Sequence, residues 1–464
     1  MAGAARSQLP PGPRAPTAIQ TIGWWARPTA YLERNRRRFG HRFTVRLAAQ
    51  RPFVMISDPG ELKQVFTAPP EVLHPGEGGK ILEPIVGPNS ILLLDEGKHL
   101  AQRRLVLPAF GGERMARLEG VVAEVTEREV ASWPRGESFA AHPHMQRLTM
   151  EVILRAVFGL EPGERLEALR EALSGMLDFG FNPISLLPPL QRDFGGRGPY
   201  ARFMRDRVHA DELIYGEIAQ RRAEIAAELG EDAAEGAEPS GDDILAAFLG
   251  ASHEDGTPMS DEEIHDELLT LLVAGHETTA TSLAWGVERL SRHPDKLDRL
   301  AQESREDAGD EYLTAVVREI LRRRPTLPTA QPRTVKEPIE VGDWTYPVDC
   351  HLMPCTWLVH HDPAIYPNPF AFEPERFLGV EPGTYTWLPF GGGRRRCAGA
   401  NFAILEMKVV LRELMRQATL EPSAAPNETV VRRAITIAPS GGGRITLRER
   451  RPAPAGAAAL SASA

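Results

Sequence analysis

The sequence predicts a mainly α-helical protein with small β-sheets, an α+β class, on three observations. Hydrophobic residues recur with helical periodicity through most of the 464 residues. Two short segments instead alternate apolar and polar residues around a turn, which is typical of β-hairpins. One helical segment runs for about 32 residues, or roughly 48 Å, long enough to cross a whole domain. Together these features predict one large domain built around one long helix.

Both ends of the chain lack hydrophobic periodicity. Residues 1–15 are rich in proline, and residues 449–464 are small and polar. We therefore expect a flexible N-terminal tail over 1–15, a single domain over 16–448 and a disordered C-terminal tail over 449–464. The acidic stretch from Glu228 to Asp243 is interpreted as a solvated loop inside that domain, because helical pattern resumes at once in ILAAFLGAS.

The two predicted hairpins lie at HRFTVRLAAQRPFVMIS, residues 41–57, and at EPIEVGDWTYP, residues 337–347. The long helix begins where Ser260 and Glu263 can form a capping box, and it is predicted to run from Asp261 to Arg292. Helical spacing in its middle, LLVAGHETTATS, places five residues on one stripe: Leu271, Ala274, Gly275, Thr278 and Ser282. Such small residues indicate either a close helix crossing or a groove for a flat ligand.

Composition excludes several classes of protein. With 42% hydrophobic and 25% charged residues the chain is ordinary globular material, and a net charge of −9 argues against general nucleic-acid affinity. Three cysteines without zinc-ligand spacing predict neither a disulfide framework nor a structural zinc, and they suit a reducing compartment. No apolar run reaches the roughly 18 residues of a membrane span, and no signal peptide is evident, so we expect a cytoplasmic protein.

Cys397 lies in FGGGRRRCAG, just before the helical pattern of residues 398–417. A helix N-terminus and nearby arginines should draw its sulfur toward the thiolate, which can attack a substrate or bind a metal. His360 and His361 exist as possible bases, but nothing in the sequence ties them to this cysteine. The glycines suit close approach of the backbone to a large flat object. Cys350 and Cys355 are interpreted as ordinary core or surface thiols.

Four motifs in order along the chain resemble those of the cytochrome P450 superfamily. FGGGRRRCAG matches the haem-binding loop F-x-x-G-x-R-x-C-x-G at all its specified positions: Phe390, Gly393, Arg395, Cys397 and Gly399. AGHETT at 274–279, EILR at 319–322 and FEPERF at 372–377 resemble the oxygen-activating segment, the E-x-x-R helix and the loop after it. The resemblance covers Leu9 to Arg448 and implies a triangular helical prism with the long central helix over a haem.

The resemblance assigns Cys397 as the axial ligand of the iron in haem b, with Phe390 and Gly391 beside the sulfur. Thr278 and Glu277 would deliver protons to bound dioxygen, the co-substrate, with Glu277 connecting to solvent. Other roles follow the family in the same way. Ala274 and Gly275 would keep the helix close to the porphyrin; His99, Arg103, Arg333 and Arg395 would bind the haem propionates; and Glu319, Arg322 and Arg376 would form a structural cluster.

A basic patch around the haem loop comprises Arg394, Arg396, Lys408 and Arg412. It is either solvated surface charge or a docking site for an acidic electron donor, a ferredoxin or flavodoxin that passes electrons ultimately from NAD(P)H. No reductase domain fits in the chain. Candidate walls of the substrate pocket are largely apolar and favour a fatty acid, terpenoid or steroid-like substrate: Leu82, Val86, Ile91, Phe179, Phe181, Leu327 and Ala330, with Ala274 and Thr278 from the long helix.

The function that this set of motifs favours is a haem-thiolate monooxygenase that hydroxylates or epoxidises a lipophilic molecule. The alternatives are a peroxygenase or isomerase that needs no electron donor, a haem protein that carries or senses a gas, and, last, a cysteine hydrolase. The intact pair of Glu277 and Thr278 argues against the first alternative, and a sensor would be expected to carry a signalling domain. We expect a monomer.

Overall fold

The computed structural model describes residues 9–180, 196, 198–229 and 243–451. This part of the chain is mainly helical with small sheets, which confirms the predicted class. The helices are α1 (Thr17–Ala26), α2 (Pro28–Phe39), α3 (Pro59–Thr67), α4 (Pro75–Gly79), α5 (Glu83–Val86), α6 (Glu96–Val106), α7 (Gly112–Ala131), α8 (Ala141–Phe158), α9 (Glu164–Gly180), α10 (Pro199–Leu229), α11 (Ile244–Leu249), α12 (Asp261–Ser291), α13 (Pro294–Glu306), α14 (Glu311–Arg323), α15 (Thr356–His360) and α16 (Ala400–Gln417).

The strands are short and form four separate sheets. They are β1 (Arg42–Val45), β2 (Phe53–Ile56), β3 (Leu73–His74), β4 (Ser138–Ala140), β5 (Arg333–Val335), β6 (Ile339–Val341), β7 (Trp344–Tyr346), β8 (His351–Pro354), β9 (Ala418–Pro422), β10 (Val430–Arg433), β11 (Thr436–Pro439) and β12 (Arg444–Arg450). The largest sheet has the order β1-β2-β8-β5-β3, and the others are β4-β12-β9, β6-β7 and β10-β11.

Both predicted hairpins are confirmed. Strands β1 and β2 pair antiparallel with Arg42 opposite Ile56, and β6 pairs antiparallel with β7 with Ile339 opposite Tyr346. Strand β8 joins β2 in parallel, and it is this long-range pairing that brings the chain beyond residue 350 to the N-terminal hairpin. Strand β5 follows on the other side of β8 and so places Arg333 in the same sheet.

Helix α12 lies at the centre of the helical part of the fold. Its capping box is formed as predicted, because the Ser260 hydroxyl accepts from the Glu263 amide at 3.2 Å and the Glu263 carboxylate accepts from the Ser260 amide at 2.9 Å. Helices α8, α10, α11, α13, α14 and α16 all pack against it. Leu268, Leu272 and Leu283 are completely buried in the largest hydrophobic cluster of the described chain. The helix ends at Ser291, one residue before the predicted end.

The predicted domain boundaries are too narrow at both ends. Pro10 is buried, and the carbonyls of Pro10 and Pro11 accept from the Thr44 hydroxyl and amide at 2.6 and 3.1 Å, so this segment is held against β1. At the other end β12 runs to Arg450, and the Arg451 amide donates to Gln417 at 2.7 Å. Strand β1 is an edge strand whose free backbone groups bond the N-terminal segment, whereas at the other end the pairing of β12 with β9 simply continues past Arg450.

Within the predicted acidic loop, Glu228 and the following residue still belong to α10, and residues 230–242 lie outside the described residues. Asp243 caps α11 by accepting from the Ala246 amide at 2.9 Å, so helical structure resumes at Ile244 as expected. Among the described helices, none combines the length and the apolar character that crossing a membrane requires.

Candidate functional site

The middle of α12 carries an open surface within an otherwise enclosed helix. Between Ile264 and Glu288 the residues that are not buried are Leu271, Val273, Ala274, Gly275 and Thr278, and Ala274 is exposed. Four of the five residues on the predicted stripe are therefore open, whereas the fifth, Ser282, is buried. Open surface at the centre of a buried helix indicates a cavity beside α12. Gly275 also serves a close helix crossing, because a Cβ there would lie 3.2 Å from the Ile153 side chain of α8.

The two neighbouring threonines of AGHETT have different partners. The Thr278 hydroxyl donates to the Ala274 carbonyl one turn earlier at 2.7 Å, at the open surface of α12. The Thr279 side chain was expected to bond its own helix backbone, but it is buried and interacts with the carboxyl group of Glu406 on α16. Burial raises the pKa of Glu406 to about 8. Thr279 and Glu406 thus connect α12 to the helix that follows Cys397.

Glu277 points away from the open surface and has no solvent exposure. Its carboxylate accepts from Gln146 at 2.8 Å and from Thr281 at 3.3 Å. It also lies 3.4 Å from His142 Nε2 and 3.1 Å from Arg433 Nε. Burial raises its pKa, but the hydrogen bond from His142 and the charges of His142 and Arg433 outweigh this and lower it. The expected contact with solvent is therefore indirect, through Arg433, whose side chain is 35% exposed.

The loop before α16 is shaped by two glycines with left-handed backbone. The Cys397 amide donates to the Phe390 carbonyl at 3.0 Å and closes the loop. Gly391 and Gly393 have φ of 66° and 65°. A Cβ on Gly393 would lie 2.1 Å from the Phe66 carbonyl oxygen, whereas a Cβ on Gly391 would meet no atom within 4 Å. Gly393 is thus required both by its conformation and by the close approach of α3.

The Cys397 thiol has accessible surface yet is surrounded by protein on nearly all sides, as at the floor of a concave site. Burial raises its pKa and outweighs the Gly399 amide, which hydrogen-bonds the sulfur, and the charges of Arg103 and Arg396. The expectation that the helix N-terminus and the nearby arginines draw this sulfur toward the thiolate is therefore wrong, because desolvation of the anion is the larger effect. A metal cation at the sulfur is what would displace the proton.

A small cavity of about 40 Å³ is lined in part by the side chains of His99, Arg333 and Arg395. The lining of this cavity does not include Cys397 or Thr278. Burial and the charge of Arg395 lower the pKa of Arg333 to about 9. Burial and the charges of Arg395 and Arg103 lower the pKa of His99 to about 3. Among the described residues no carboxylate forms an ion pair with His99, Arg103 or Arg333.

Arg395 differs from the other three predicted propionate ligands. Its guanidinium pairs with Asp95 at 2.8 Å and donates to the Ile91 carbonyl at 3.1 Å. Asp95 in turn accepts from the amides of Gly76 and Glu77 at 2.8 and 2.9 Å. Arg395 therefore already has a protein counter-charge, a point that its position in the motif did not indicate.

These residues fit haem b. Its two carboxylates would supply the counter-charge that Arg103 and Arg333 lack, since buried cations are normally paired. They could also accept a hydrogen bond from the His99 ring, which its lowered pKa keeps neutral. A cysteine sulfur is a suitable axial ligand for haem iron. The open stretch of α12 at Ala274 and Thr278 offers a wall without bulky side chains.

Glu319, Arg322 and Arg376 are brought together away from these cations. The Arg322 guanidinium donates to both oxygens of Glu319 at 2.7 and 2.8 Å, and both side chains are fully buried. Arg376 Nε lies 3.3 Å from the same carboxylate, and the Glu373 amide donates to it at 2.9 Å. The cluster joins α14 to the loop of residues 372–377 and has no contact that would suggest chemistry.

Comparison with known proteins agrees with these motifs. The family model described as cytochrome P450 matches residues 9–442. The chain belongs to the cytochrome P450 family. It is 38% identical over 458 residues to the Mycobacterium tuberculosis protein named "Putative cytochrome P450 135B1", covering 97% of this chain and 94% of that one. It is 37% identical over 446 residues to the same organism's "Putative cytochrome P450 138", covering 96% and 97%.

Solved P450 structures share the fold. The structure titled "Retinoic acid bound cyanobacterial CYP120A1" superposes with a TM-score of 0.77 at 22% identity, over 95% of this chain and 100% of that one. The cytochrome P450DA heme domain gives 0.78 at 22% identity, over 96% and 98%. Membership of the family implies a haem-iron oxidoreductase.

The predicted basic patch is smaller than the sequence suggested. Lys408 pairs with Asp310 at 2.7 Å, and Arg412 pairs with Glu119 at 2.9 Å. In the part of the chain that the structure describes, Arg394 and Arg396 remain exposed and form no ion pair. The unneutralised charge is therefore confined to the two arginines that flank Arg395.

The candidate substrate-contacting residues differ in how deeply they are buried. Val86 and Ile91 are buried in the largest hydrophobic cluster, and Leu82 packs against it. Leu327 is half-buried, and Ala330 packs against a different cluster near the main sheet. Phe181 and the Phe179 side chain lie outside the described residues. These positions remain predictions.

A polar connection between α12 and residues 89–91 was not predicted from the sequence. Asp266 accepts from the amide and side chain of Asn89 at 2.9 and 3.0 Å, and Glu267 accepts from the Ile91 amide at 2.7 Å. Two acids on the buried side of a helix are the sequence signal that could have indicated it. The connection fixes the loop that carries Ile91 and leads to Asp95.

The same connection extends to α10 through His265. Its ring nitrogens lie 2.9 Å from Asp211 and 3.0 Å from Asp266, and its ring stacks on Tyr215 with centroids 4.4 Å apart. Burial lowers the pKa of His265, but the hydrogen bonds to the two aspartates outweigh this and raise it. The charged imidazole therefore links two carboxylates on neighbouring helices.

Proposed function

We propose that this P450 is a haem-thiolate monooxygenase that hydroxylates or epoxidises a lipophilic small molecule, with electrons supplied by a separate protein. The observation that carries the proposal is the accessible but enclosed Cys397 thiol in a complete P450 loop, together with Arg103 and the buried Arg333, which have no carboxylate partner in the described chain. A structural thiol would need neither the left-handed glycines of its loop nor an uncompensated group of cations.

Cys397 would ligate the iron of haem b, and His99, Arg103 and Arg333 would hold its propionates. The haem, when bound through a thiolate, supplies binding and activation of dioxygen. The Gly399 amide that hydrogen-bonds the sulfur would tune its electron donation. Arg395 is already paired with Asp95, so its main role would be to fix the loop, and its contact with a propionate would be secondary.

The chain's own residues would control protons. Because the Thr278 hydroxyl donates to the Ala274 carbonyl, its oxygen lone pairs remain to accept a hydrogen bond from water at the open surface of α12. Glu277 would act behind it as an ionised carboxylate, and Arg433 would move aside to admit water from solvent. The donor protein, a ferredoxin or flavodoxin, would dock at Arg394 and Arg396.

The assignment is tested by the spectrum of the reduced protein with carbon monoxide. The strongly red-shifted Soret band of thiolate ligation is expected for the parent protein and for Cys350→Ser, which removes a buried thiol elsewhere. It should disappear in Cys397→Ser. A band typical of histidine-ligated haem in the parent, or an unchanged band in Cys397→Ser, would contradict the assignment.

Proton control is tested by comparing the two neighbouring threonines. Thr278→Ala should increase the electrons consumed per product formed, because water loses its hydrogen-bond acceptor at α12. Thr279→Ala should leave this ratio close to that of the parent, since Thr279 is buried and faces Glu406 rather than the open surface. Equal coupling in both variants would count against Thr278. Full turnover with hydrogen peroxide and none with a reductase would favour the donor-independent alternative.

A further inference from the structure

The N-terminal part of the chain has a charge opposite to that of the whole protein. The net charge is −9, yet residues 9–51 contain nine arginines, no lysine and a single acidic residue, Glu33. Elsewhere in the described chain most arginines form ion pairs, but six of these nine form none: Arg14, Arg27, Arg34, Arg37, Arg38 and Arg46. This region is therefore a positive surface on an acidic protein.

Helix α1, within this region, has an apolar outer face. Its sequence, TAIQTIGWWA, contains no charged residue. Gln20 and Trp24 face the protein and are buried, whereas Ile19 and Ile22 are 58% and 65% exposed. These two lie three residues apart and thus on one side of the helix, and exposed Arg27 follows its end. Solvent-facing helices of globular proteins normally carry charged residues on that side.

This helix is anchored so that its apolar face points outward. The Arg432 guanidinium on β10 lies 4.6 Å and 5.2 Å from the ring centroids of Trp24 and Trp25. The Gln20 amide group donates to the Ala15 carbonyl at 2.8 Å. A helix held on its inner side by these contacts cannot turn its isoleucines inward without losing them.

Helix α2 follows immediately, packs against α1 and carries the densest charge. Arg34, Arg37 and Arg38 are exposed and line one open groove, together with Phe370, which is about half exposed. The groove thus combines three guanidinium groups, which bind phosphate well, with an exposed apolar side chain. Glu33 at its edge accepts from the Trp357 indole at 3.1 Å.

We propose that α1 and α2 form a docking surface for an anionic lipid bilayer, with Ile19 and Ile22 entering the headgroup region and the arginines of α2 contacting lipid phosphates. Exposed isoleucines beside arginines are typical of helices that lie in the plane of a membrane surface. An acidic protein partner would match the charge equally well but would not account for an uncharged, isoleucine-bearing outer face on α1. The proposed docking of α1 and α2 on a membrane does not rest on the proposed monooxygenase reaction.

The test is cosedimentation of the full-length protein with vesicles of phosphatidylcholine, with and without phosphatidylglycerol. Binding is expected only with phosphatidylglycerol and should weaken strongly in about 1 M salt, where the screening length falls to roughly 3 Å. The triple variant Arg34→Gln, Arg37→Gln, Arg38→Gln should weaken binding on the order of 100-fold. Ile19→Ser with Ile22→Ser should weaken it by about tenfold or more.

Matched controls separate this surface from general charge or apolar content. Arg299→Gln, Arg305→Gln and Arg448→Gln remove three exposed arginines from α13 and β12, and Val380→Ser with Leu107→Ser removes two exposed apolar side chains. Both control variants should bind as the parent does. Circular dichroism and thermal melting check that every variant is folded.

Three outcomes would overturn the proposal: no binding to phosphatidylglycerol vesicles, equal binding to phosphatidylcholine alone, or equal loss in the control variants. Binding to polyglutamate that requires the arginines but not the isoleucines, without vesicle binding, would indicate an acidic protein partner instead. None of these measurements involves turnover, so their failure leaves the haem assignment untouched, and loss of the thiolate spectrum leaves the membrane surface untouched.

Discussion

Replacing Glu319 by alanine removes the carboxylate that faces the Arg322 guanidinium, and both groups are completely buried. Arg322 would keep its hydrogen bonds to the carbonyls of His360, Pro369 and Ala371, at 2.7, 2.9 and 3.1 Å, but it would lose its only ion pair in the described chain. The perturbation therefore leaves an uncompensated charge inside the protein.

The expected cost follows from this burial. Removing one partner of a buried ion pair destabilises a protein by about 3 to 5 kcal/mol, because the remaining charge stays desolvated. The Glu319 carboxylate also accepts from the Glu373 amide, which would be left without this partner and which adds to the loss. Since total stabilities are about 5 to 15 kcal/mol, much of the protein should unfold or fail to retain haem.

The assay is urea unfolding followed by far-ultraviolet circular dichroism, with the haem band recorded in parallel. Glu167→Ala is the matched control, because Glu167 and Arg170 have the same spacing on α9 but Glu167 is exposed and Arg170 is only partly buried. Exposed pairs contribute about 0 to 1 kcal/mol, so this control should unfold close to the parent. Glu319→Gln retains the shape and an acceptor and should fall between the two.

A Glu319→Ala protein that unfolds within about 1 kcal/mol of Glu167→Ala would refute this reasoning. It would mean that the carbonyl contacts of Arg322 alone stabilise the guanidinium, or that water enters the cluster. An intact haem spectrum with normal stability but lower turnover would instead point to a catalytic role that the geometry does not suggest.

Three further predictions concern other parts of the site. Gly391→Ala should lower the free energy of unfolding by about 1 kcal/mol, because alanine is strained in left-handed backbone. Gly393→Ala should lower it several times more, because its Cβ would also clash with the Phe66 backbone. Urea unfolding midpoints measure both, and equal losses would contradict the prediction. His265 has a raised pKa, so its contribution to stability should be complete below about pH 6.5 and fade as pH rises through the folded-state pKa. The stability difference between the parent and His265→Gln, followed by thermal melting from about pH 6 upward, should therefore shrink, and a constant difference would exclude the charged pairing. Arg333→Met should stabilise the haem-free protein, because it removes a buried unpaired cation. The same variant should bind haem more weakly in titrations. A haem-free variant less stable than the parent would indicate a purely structural arginine.

Much of the fold was predictable because its signals are local. The capping box at Ser260 and Glu263, the hairpin from Arg42 to Ile56 and the helix after Cys397 each depend on residues close together in sequence. The P450 loop was recognisable for the same reason, since glycines with left-handed backbone and the cysteine lie within ten residues. Local conformational preference and hydrophobic spacing are properties that a sequence carries without its fold.

The sequence by itself determined the family, the helical class and the identity of the iron-ligating cysteine that we propose. Only the tertiary structure decided which charges meet: Arg395 pairs with Asp95, Lys408 with Asp310, and Glu277 turns from the open face of α12 toward Arg433. It also reversed the expected acidity of the Cys397 thiol, because burial outweighs the nearby positive charges. Pairing and desolvation depend on groups hundreds of residues apart, so they exist only once the chain has folded.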